Sequence, residues 1–163
     1  NTNIQLAWPI NKEYTYNYIF NKTHNFELNN EGFITANNYL DISAPEDGIY
    51  YFHLRAIDKK GRKGPTSHFK IMIDNTPPLS PNIEASNMTA KKGDVLRLNF
   101  TGIDILSGTQ AGFYVKINNS IFLPIKPPFY VPLLKEGDYI ITVRVFDKAN
   151  NFSDNSITVQ ATK

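Results

Sequence analysis

The 163-residue chain contains no cysteine, which excludes disulfide bonds, thiolate metal sites and cysteine nucleophiles. It has no apolar run near the roughly 18 residues that a membrane-spanning helix needs. No segment repeats apolar residues at a helical period over about ten residues or more. The chain begins at Asn1 without a signal peptide, so we expect a mature product or an excised fragment.

The charge of the chain is nearly balanced. Seventeen lysine and arginine residues face 15 aspartate and glutamate residues, giving a formal net charge of +2. This excess is too small to indicate a nucleic-acid partner or an anionic membrane surface, which call for clustered basic residues. Hydrophobic residues make up 41% of the chain and aromatic residues 13%, enough to build folded cores.

Alternation of apolar and polar residues dominates the sequence and predicts half-buried β-strands. The runs in the first half have inward positions at Ile4, Leu6 and Trp8; Tyr14, Tyr16, Tyr18 and Phe20; Tyr50, Phe52, Leu54 and Ala56; and Phe69, Ile71 and Ile73. Those in the second half are Leu96, Leu98 and Phe100; Val115 and Ile117; Tyr139, Ile141, Val143 and Val145; and Ile157 and Val159. Turn residues separate the runs, so the chain is predicted to be all-β.

The sharpest break in this pattern is the stretch DNTPPLSP at residues 74–81. Its three prolines lack a backbone donor and fix φ, so the stretch is not expected inside a sheet and is predicted to be a short, stiff spacer. We therefore predict two domains, residues 1–76 and residues 77–163.

One cadence occurs once in each half: DGIYYFHLRAIDKKG at residues 47–61 and EGDYIITVRVFDKAN at residues 136–150. In both, a glycine releases a turn and a tyrosine, Tyr50 or Tyr139, begins an alternating run. A tyrosine at this place in a sandwich can turn its hydroxyl back to the backbone as a tyrosine corner. We expect both tyrosines to be buried, with their hydroxyls hydrogen-bonded.

With Trp8 ending an early strand and Tyr50 opening a late one, the first half resembles a fibronectin type III module. The second half, with GIDILSG, FYVKINN and GDYIITVRVFDKANN, resembles bacterial immunoglobulin-like repeats, and IDNTPPLSP resembles the joint between such repeats. The resemblance implies two tandem immunoglobulin-like (fibronectin type III-like) β-sandwich domains. The first half has no obvious strand before Ile4, so its first strand is expected to be missing.

Residues suited to catalysis are few. The only histidines are His24, His53 and His68, and none lies in a GxSxG or similar setting. The acidic residues fall mainly in turns, and a small sandwich leaves no cleft for a pair of glycosidase carboxylates. We expect no enzymatic activity and no cofactor.

Calcium is the cation that loop aspartates such as Asp58, Asp104 and Asp147 could attract, but no local D-x-D-x-D pattern supplies a ligand set. A strand-end aspartate more simply accepts backbone donors of the following turn. We therefore favour turn capping for Asp58 and Asp147 and no metal site, with calcium as the open alternative.

Taken together, the sequence favours non-catalytic modules of a larger bacterial cell-surface or secreted protein that serve as spacer, stalk or adhesion module. The alternative is an accessory, carbohydrate-associated module of a secreted multidomain enzyme. The expected partners are neighbouring domains of the same protein and a protein or glycan ligand, with no nucleic acid and no membrane span. An exposed row of aromatic side chains on one sheet would favour carbohydrate binding.

The candidate contact surface follows from strand alternation. If Tyr50 and Phe52 face the core, the neighbouring positions face outward. Folding the next strand back near Arg62 would set Arg55 near His68 and His53 near Lys70, forming a polar strip. Its residues are Tyr51, His53, Arg55, His68 and Lys70. No equivalent strip is predicted in the second half, where Ile140, Thr142 and Arg144 take the outward row.

Overall fold

The computed structural model describes residues 3–29 and 31–163, except for the side chain of Ala111. The chain divides into two compact units, unit 1 (Asn1–Asn75) and unit 2 (Thr76–Lys163). The described residues form strands and connecting loops, and they contain no helix that is long and apolar enough to cross a membrane.

The described residues of unit 1 form six strands in two sheets. They are β1 (Asn3–Ala7), β2 (Tyr14–Asn21), β3 (Phe33–Thr35), β4 (Tyr39–Ser43), β5 (Gly48–Asp58) and β6 (Ser67–Ile73). One sheet pairs β1 with β4, and the other has the order β3-β2-β5-β6, with every pairing antiparallel. The inward positions of β2 and β5 face the two-stranded sheet and supply the core of the unit.

Aromatic rings fill that core. Tyr16, Tyr50 and Phe52 are buried, and Trp8, just after β1, lies with its ring centroid 5.5 Å from Tyr16 and 5.9 Å from Phe52. Phe69 was predicted to face inward, but 54% of its surface is exposed. The opposing sheet has only two strands and does not extend over this part of β6. Alternation therefore assigns Phe69 to the correct face of β6, but the core does not extend to this residue.

Unit 2 consists of eight strands. They are β7 (Asn82–Ala85), β8 (Thr89–Lys91), β9 (Val95–Thr101), β10 (Thr109–Ile117), β11 (Leu123–Ile125), β12 (Phe129–Pro132), β13 (Gly137–Asp147) and β14 (Phe152–Thr162). One sheet has the order β12-β9-β7 and the other β11-β10-β13-β14-β8. Only the contact of β8 with β14 is parallel. The core lies between the sheets and includes Leu96, Leu98, Phe100, Val115, Ile141, Val143 and Val159.

The two units share one strand plan. In each, the strand opened by the glycine of the repeated cadence is central, and it pairs with the preceding long strand and with the last strand. Unit 2 adds β7 beside β9 and β8 beside β14. Within residues 3–29 and 31–75, no strand pairs with the free edge of β1.

The tyrosines of the repeated cadence make equivalent hydrogen bonds in the two units. Tyr50 donates its hydroxyl to the Glu46 carbonyl at 3.0 Å, and Tyr139 donates to the Lys135 carbonyl at 3.2 Å. The predicted tyrosine corners are thus confirmed, although Tyr139 is half-buried whereas Tyr50 is 4% exposed. The hydroxyl of Tyr139 also accepts the Lys135 N–H at 2.9 Å.

Removing either corner hydroxyl should lower stability modestly. Tyr50→Phe and Tyr139→Phe each lose a hydrogen bond to a backbone carbonyl, which should cost about 0.5–1.5 kcal/mol. The Tyr50 change should cost more, because Tyr50 is 4% exposed whereas Tyr139 is half-buried. Urea unfolding of the two variants measures this, and neutral effects at both positions would contradict the corner assignment.

The predicted spacer is bound to unit 2. We call residues 76–81 the proline segment. Asn151, Ser153 and Asn155 donate side-chain hydrogen bonds to the carbonyls of Thr76, Pro78 and Pro81 at 3.5, 2.6 and 2.9 Å. Prolines offer no backbone N–H donor but keep their carbonyl acceptors. Side-chain donors of unit 2 therefore take the place of the backbone hydrogen bonds that a strand would make here. The segment is therefore not a free spacer.

We propose that the two units are separate domains meeting at residues 76 and 77, and truncation tests this. The fragment of residues 77–163 should unfold cooperatively on its own, because it keeps both short hydrogen bonds to the proline segment. A fragment of residues 82–163 leaves Ser153 and Asn155 without those acceptors and should be about 1–3 kcal/mol less stable. Unfolding monitored by circular dichroism gives both values. An unfolded 77–163 fragment would contradict the domain proposal.

Candidate functional site

The predicted strip on unit 1 lies on the face opposite the core, as alternation requires, but half of it is covered. His53 is 0% exposed and Arg55 8% exposed, whereas Lys70 is exposed and Tyr51 half-buried. The expectation that His53 and Arg55 face solvent was wrong. The reason is a non-strand segment, residues 22–29, that follows β2 and folds back over the outer face of the sheet. We call it the strap.

Polar contacts hold the strap to the sheet. His53 Nε2 lies 2.9 Å from the Thr23 carbonyl oxygen, and Arg55 donates from Nη2 to the Asn29 carbonyl at 2.8 Å. Lys63 also donates to that carbonyl, at 2.9 Å. At the far side of the sheet, Thr66 Oγ1 donates to Glu27 Oε2 at 3.2 Å.

Apolar residues complete this cover. Leu28 is fully buried, and the ring of Phe26 lies 5.8 Å from that of His53. His24 packs edge-on against Tyr51 at 4.9 Å. The stretch HNFELNN therefore carries an alternating apolar pair, Phe26 and Leu28, within a region that has the composition of a loop. That pair was the signal in the sequence for a covered sheet face.

The pairing of β5 with β6 also differs from the prediction. His53 lies opposite His68, and Tyr51 lies opposite Lys70, so the register is shifted by two residues from the expected pairs. The turn closes early because Asp58 accepts the N–H of Arg62 at 2.8 Å and donates its own N–H to the Arg62 carbonyl. As a result, two histidines meet: His53 Nδ1 and His68 Nδ1 are 2.7 Å apart.

The outer face of the five-stranded sheet of unit 2 carries a second, more open surface. Tyr114 of β10 contacts Phe146 of β13 at 5.3 Å, and Phe146 contacts Phe152 of β14 at 5.6 Å. Phe122, before β11, lies on the same side. We call the rings of Tyr114, Phe122, Phe146 and Phe152, together with Arg144, the aromatic face. Sequence reasoning placed Arg144 on the outward row of this sheet but did not find the aromatic face.

Arg144 is the centre of the aromatic face. Its guanidinium lies 4.2 Å from the ring centroid of Phe122 and 3.9 Å from that of Phe152, with the cation over both rings. Asp154 accepts two hydrogen bonds from it, at 2.7 and 2.8 Å. These bonds raise the pKa of Arg144 above its ordinary value, against the opposing effect of burial. The stacked, paired arginine fixes the orientation of both rings.

A shallow groove of about 290 Å³ adjoins Tyr114 on the same sheet, between β10 and β11. Gly112 lies at its wall with φ of +132°, beside the irregular pairing between Thr109 and Phe113. Such a bulge re-aims the side chains that follow it. Phe152 is 46% exposed, and Tyr114, Phe122 and Phe146 are each half-buried, so the rings are accessible beside the groove.

The predicted capping aspartates behave alike in the two units. Asp58 Oδ1 accepts from the backbone of Lys60 and Arg62, and Asp147 Oδ1 accepts from the backbone of Asn151 at 2.8 Å. These bonds lower the pKa of Asp58, the hydrogen bond from the Arg62 backbone being the largest cause. Asp147 is fully buried and also accepts from Asn151 Nδ2 at 2.8 Å. Turn capping is confirmed for both.

The strand order decides the fold class. In both units, a larger sheet that contains the strand of the repeated cadence, β5 or β13, faces a smaller sheet that contains the preceding strand, β4 or β12. Every pairing except that of β8 with β14 is antiparallel. Both units are immunoglobulin-like sandwiches. This confirms the predicted fold class, two tandem immunoglobulin-like (fibronectin type III-like) β-sandwich domains.

Solved structures with fibronectin type III-like and immunoglobulin-like modules are similar to the whole of this tandem immunoglobulin-like chain. The fibronectin(III)-like modules of Clostridium thermocellum CbhA are 14% identical, with a TM-score of 0.49 over 98% of this chain and 85% of that one. Murine CEACAM1b is 16% identical, with a TM-score of 0.47 over 98% and 92%. The D00-D0 domain of intimin is 11% identical, with a TM-score of 0.37 over 100% and 85%.

No family model matches the chain, and no curated protein matches it. The assignment of both immunoglobulin-like units therefore rests on their strand order and pairing. At these identities the similar structures say nothing about the function of this chain.

Proposed function

We propose that the chain is a pair of non-catalytic β-sandwich modules of a larger bacterial cell-surface or secreted protein, and that the aromatic face of unit 2 makes its binding contact. The bacterial and extracellular setting is supported by the resemblance of GIDILSG, FYVKINN and GDYIITVRVFDKANN to bacterial immunoglobulin-like repeats. The absence of cysteine is compatible with such a setting.

The observation that supports an interaction role is the ordered set of accessible rings around Arg144. A chain with spacer function alone gains little from half-exposed aromatic side chains on an outward sheet face, since polar residues would solvate that face better. Rings held in fixed orientation lose little conformational entropy on binding and offer flat apolar contact area. Such a surface suits the apolar faces of sugar rings and the side chains of a protein partner.

The ion pair of Arg144 with Asp154 narrows the chemical class of ligand that this surface can bind. Asp154 already occupies the guanidinium with two hydrogen bonds, so the arginine is not free to bind a carboxylate or sulfate. The proposed ligand is therefore an uncharged glycan, and a protein partner is the other outcome of the test.

Binding to immobilised neutral polysaccharides tests the proposal. The whole chain should bind at least one of cellulose, xylan, mannan and chitin, and the double variant Tyr114→Ala/Phe152→Ala should bind it about tenfold more weakly or worse. The matched control is Tyr130→Ala, which removes a 55% exposed ring from the opposite sheet of the same unit and should leave binding unchanged.

Thermal unfolding of the three proteins separates lost binding from lost structure. Equal binding by the parent and the double variant, or equal weakening by Tyr130→Ala, would contradict a role for the aromatic face. Absence of binding to all four polysaccharides, together with capture of a defined bacterial or host surface protein, would replace the glycan by a protein ligand. Absence of any binding would leave the spacer role.

A further inference from the structure

The strap of unit 1 covers a histidine pair that the proposed binding role does not use. All three histidines of the chain belong to this place: His24 in the strap, His53 on β5 and His68 on β6. His53 is fully enclosed, while the side chain of His68 keeps 27% of its surface exposed. A titratable pair beneath a segment held by few bonds can couple protonation to the position of that segment.

The hydrogen-bond partners fix where the protons lie. His53 Nε2 faces the Thr23 carbonyl oxygen, which can only accept, so this nitrogen carries a proton. In a neutral His53 the other nitrogen, Nδ1, is then an acceptor. It lies 2.7 Å from His68 Nδ1, which must therefore supply the proton between them. While the strap is closed, only one of the two Nδ1 atoms can carry a hydrogen between the rings.

A single extra proton on His68 is compatible with this arrangement. It would reside on His68 Nε2, which lies 3.9 Å from Glu27 Oε1 in the strap. A proton on His53 as well is not compatible. Both Nδ1 atoms would then carry a hydrogen across 2.7 Å, and two positive rings would be in contact beneath the strap.

The charged surroundings of His53 offer little compensation. Glu27, on the strap, favours the charged form of His53, while His68 on β6 and His24 on the strap disfavour it. Tyr51 and Arg55 flank His53 on the outer face of β5, and Asn21 Oδ1 lies 3.2 Å from Nε2 at the end of β2. Burial is the largest effect and lowers the pKa of His53 below its ordinary value.

We propose that the strap is an acid-released cover, closed while the His53–His68 pair holds at most one additional proton and opened when the pair takes up a second. Opening removes the Thr23 carbonyl from His53 and separates Phe26 from its ring, and hydration then allows both rings to be charged. The outer face of β5, with Arg55, becomes accessible in the open form. The device is independent of the aromatic face on unit 2.

The direction of the pH effect follows from the lowered pKa. In the open form His53 titrates near its ordinary value of about 6.5, whereas in the closed form it stays neutral to lower pH. Closure is therefore fully favoured above about pH 6.5 and is weakened as the pH falls below that value, until the pKa of the closed form is reached. One extra proton in the open form makes the opening constant rise about tenfold per pH unit within this window.

Hydrogen exchange of the strap amides in the whole chain tests the proposal. After correction for the intrinsic pH dependence of exchange, the opening constant for residues 23–29 should be larger at pH 5.5 than at pH 7.5, by up to about tenfold. In His53→Gln the amide can still donate to the Thr23 carbonyl but cannot titrate, so this increase should disappear. The matched control His24→Gln removes the third histidine and should retain it.

An opening constant that is the same at both pH values in the parent would overturn the proposal, and so would an undiminished acid response in His53→Gln. Nuclear magnetic resonance of the parent gives a second measurement that needs no variant. The ring signals of His53 should titrate below the ordinary histidine value of about 6.5. Titration of His53 at or above that value would also overturn the proposal.

Discussion

Gly32→Ala should strongly destabilise unit 1. Gly32 has φ of +99°, which a residue with a Cβ adopts only with strain, and an added Cβ would lie 2.6 Å from the Tyr18 carbonyl oxygen and 2.5 Å from Asn17 Oδ1. The Tyr18 oxygen belongs to β2 and cannot move without disturbing the sheet. Strain and clash together should cost about 3–5 kcal/mol. A 75-residue unit has only about 4–11 kcal/mol to lose.

Gly93→Ala is the matched control, since Gly93 has the same φ of +99° and an added Cβ would meet no atom within 4 Å. It should cost unit 2 only the backbone strain, about 1–2 kcal/mol. Urea unfolding of the two variants measures the difference. Equal losses would show that the contact of Gly32 with β2 is unimportant and that φ alone determines the effect.

Asp147→Ala should be the most damaging change at a turn. Its fully buried carboxylate accepts from both the backbone and the side-chain amide of Asn151, each at 2.8 Å. Hydrogen bonds to a charged acceptor contribute about 1.5–3 kcal/mol each, so the loss of both should destabilise unit 2 by about 3 kcal/mol or more. Thermal unfolding of the whole chain should show the transition of unit 2 moving to lower temperature while that of unit 1 stays in place.

Asp58→Ala makes the same change at the equivalent position of unit 1. Asp58 accepts from the backbone of Lys60 and Arg62, as Asp147 does from Asn151, but its turn is exposed and water can replace the carboxylate. Its effect should be clearly smaller. If the two variants lost the same stability, burial of the Asp147 carboxylate would not be what makes it important.

The repeated cadence explains why the fold could be predicted. Each half carries a glycine-released turn, a corner tyrosine and a strand-end aspartate in one register, and these local signals act within a few residues of one another. Period-two alternation identifies the faces of the long strands, since side chains of a strand alternate between its two sides. The fold class follows from such signals because none of them needs a distant partner.

The surfaces were harder to predict because they depend on distant partners. Alternation placed His53 and Arg55 correctly on the outer face, but it holds no information about what lies over that face. The cover comes from the strap, whose only apolar residues are Phe26 and Leu28, too few for a periodic signal. Likewise, Arg144 meets Phe122 only because a loop before β11 returns to the sheet.

Register accounts for the remaining difference. A two-residue shift in the pairing of β5 with β6 brought His53 opposite His68 instead of Lys70. The shift follows from the tight turn that Asp58 caps through its hydrogen bonds with Arg62. The amino-acid composition of the turn does not reveal which residues make these bonds. The same kind of capped turn at Asp147 sets Phe146 opposite Phe152 and Arg144 opposite Asp154, which creates the aromatic face.

The parallel contact of β8 with β14 has a mechanical consequence. Once the proline segment and β7 have been displaced, tension along the chain pulls β8 toward its amino-terminal end and β14 toward its carboxyl-terminal end. In a parallel pair these directions are opposed along one axis. The bonds from Gln160 N to the Met88 carbonyl and from Lys92 N to the Thr162 carbonyl, at 3.0 and 2.8 Å, are then loaded in shear and at the same time. An applied force cannot open them one after another, so unit 2 should resist stretching.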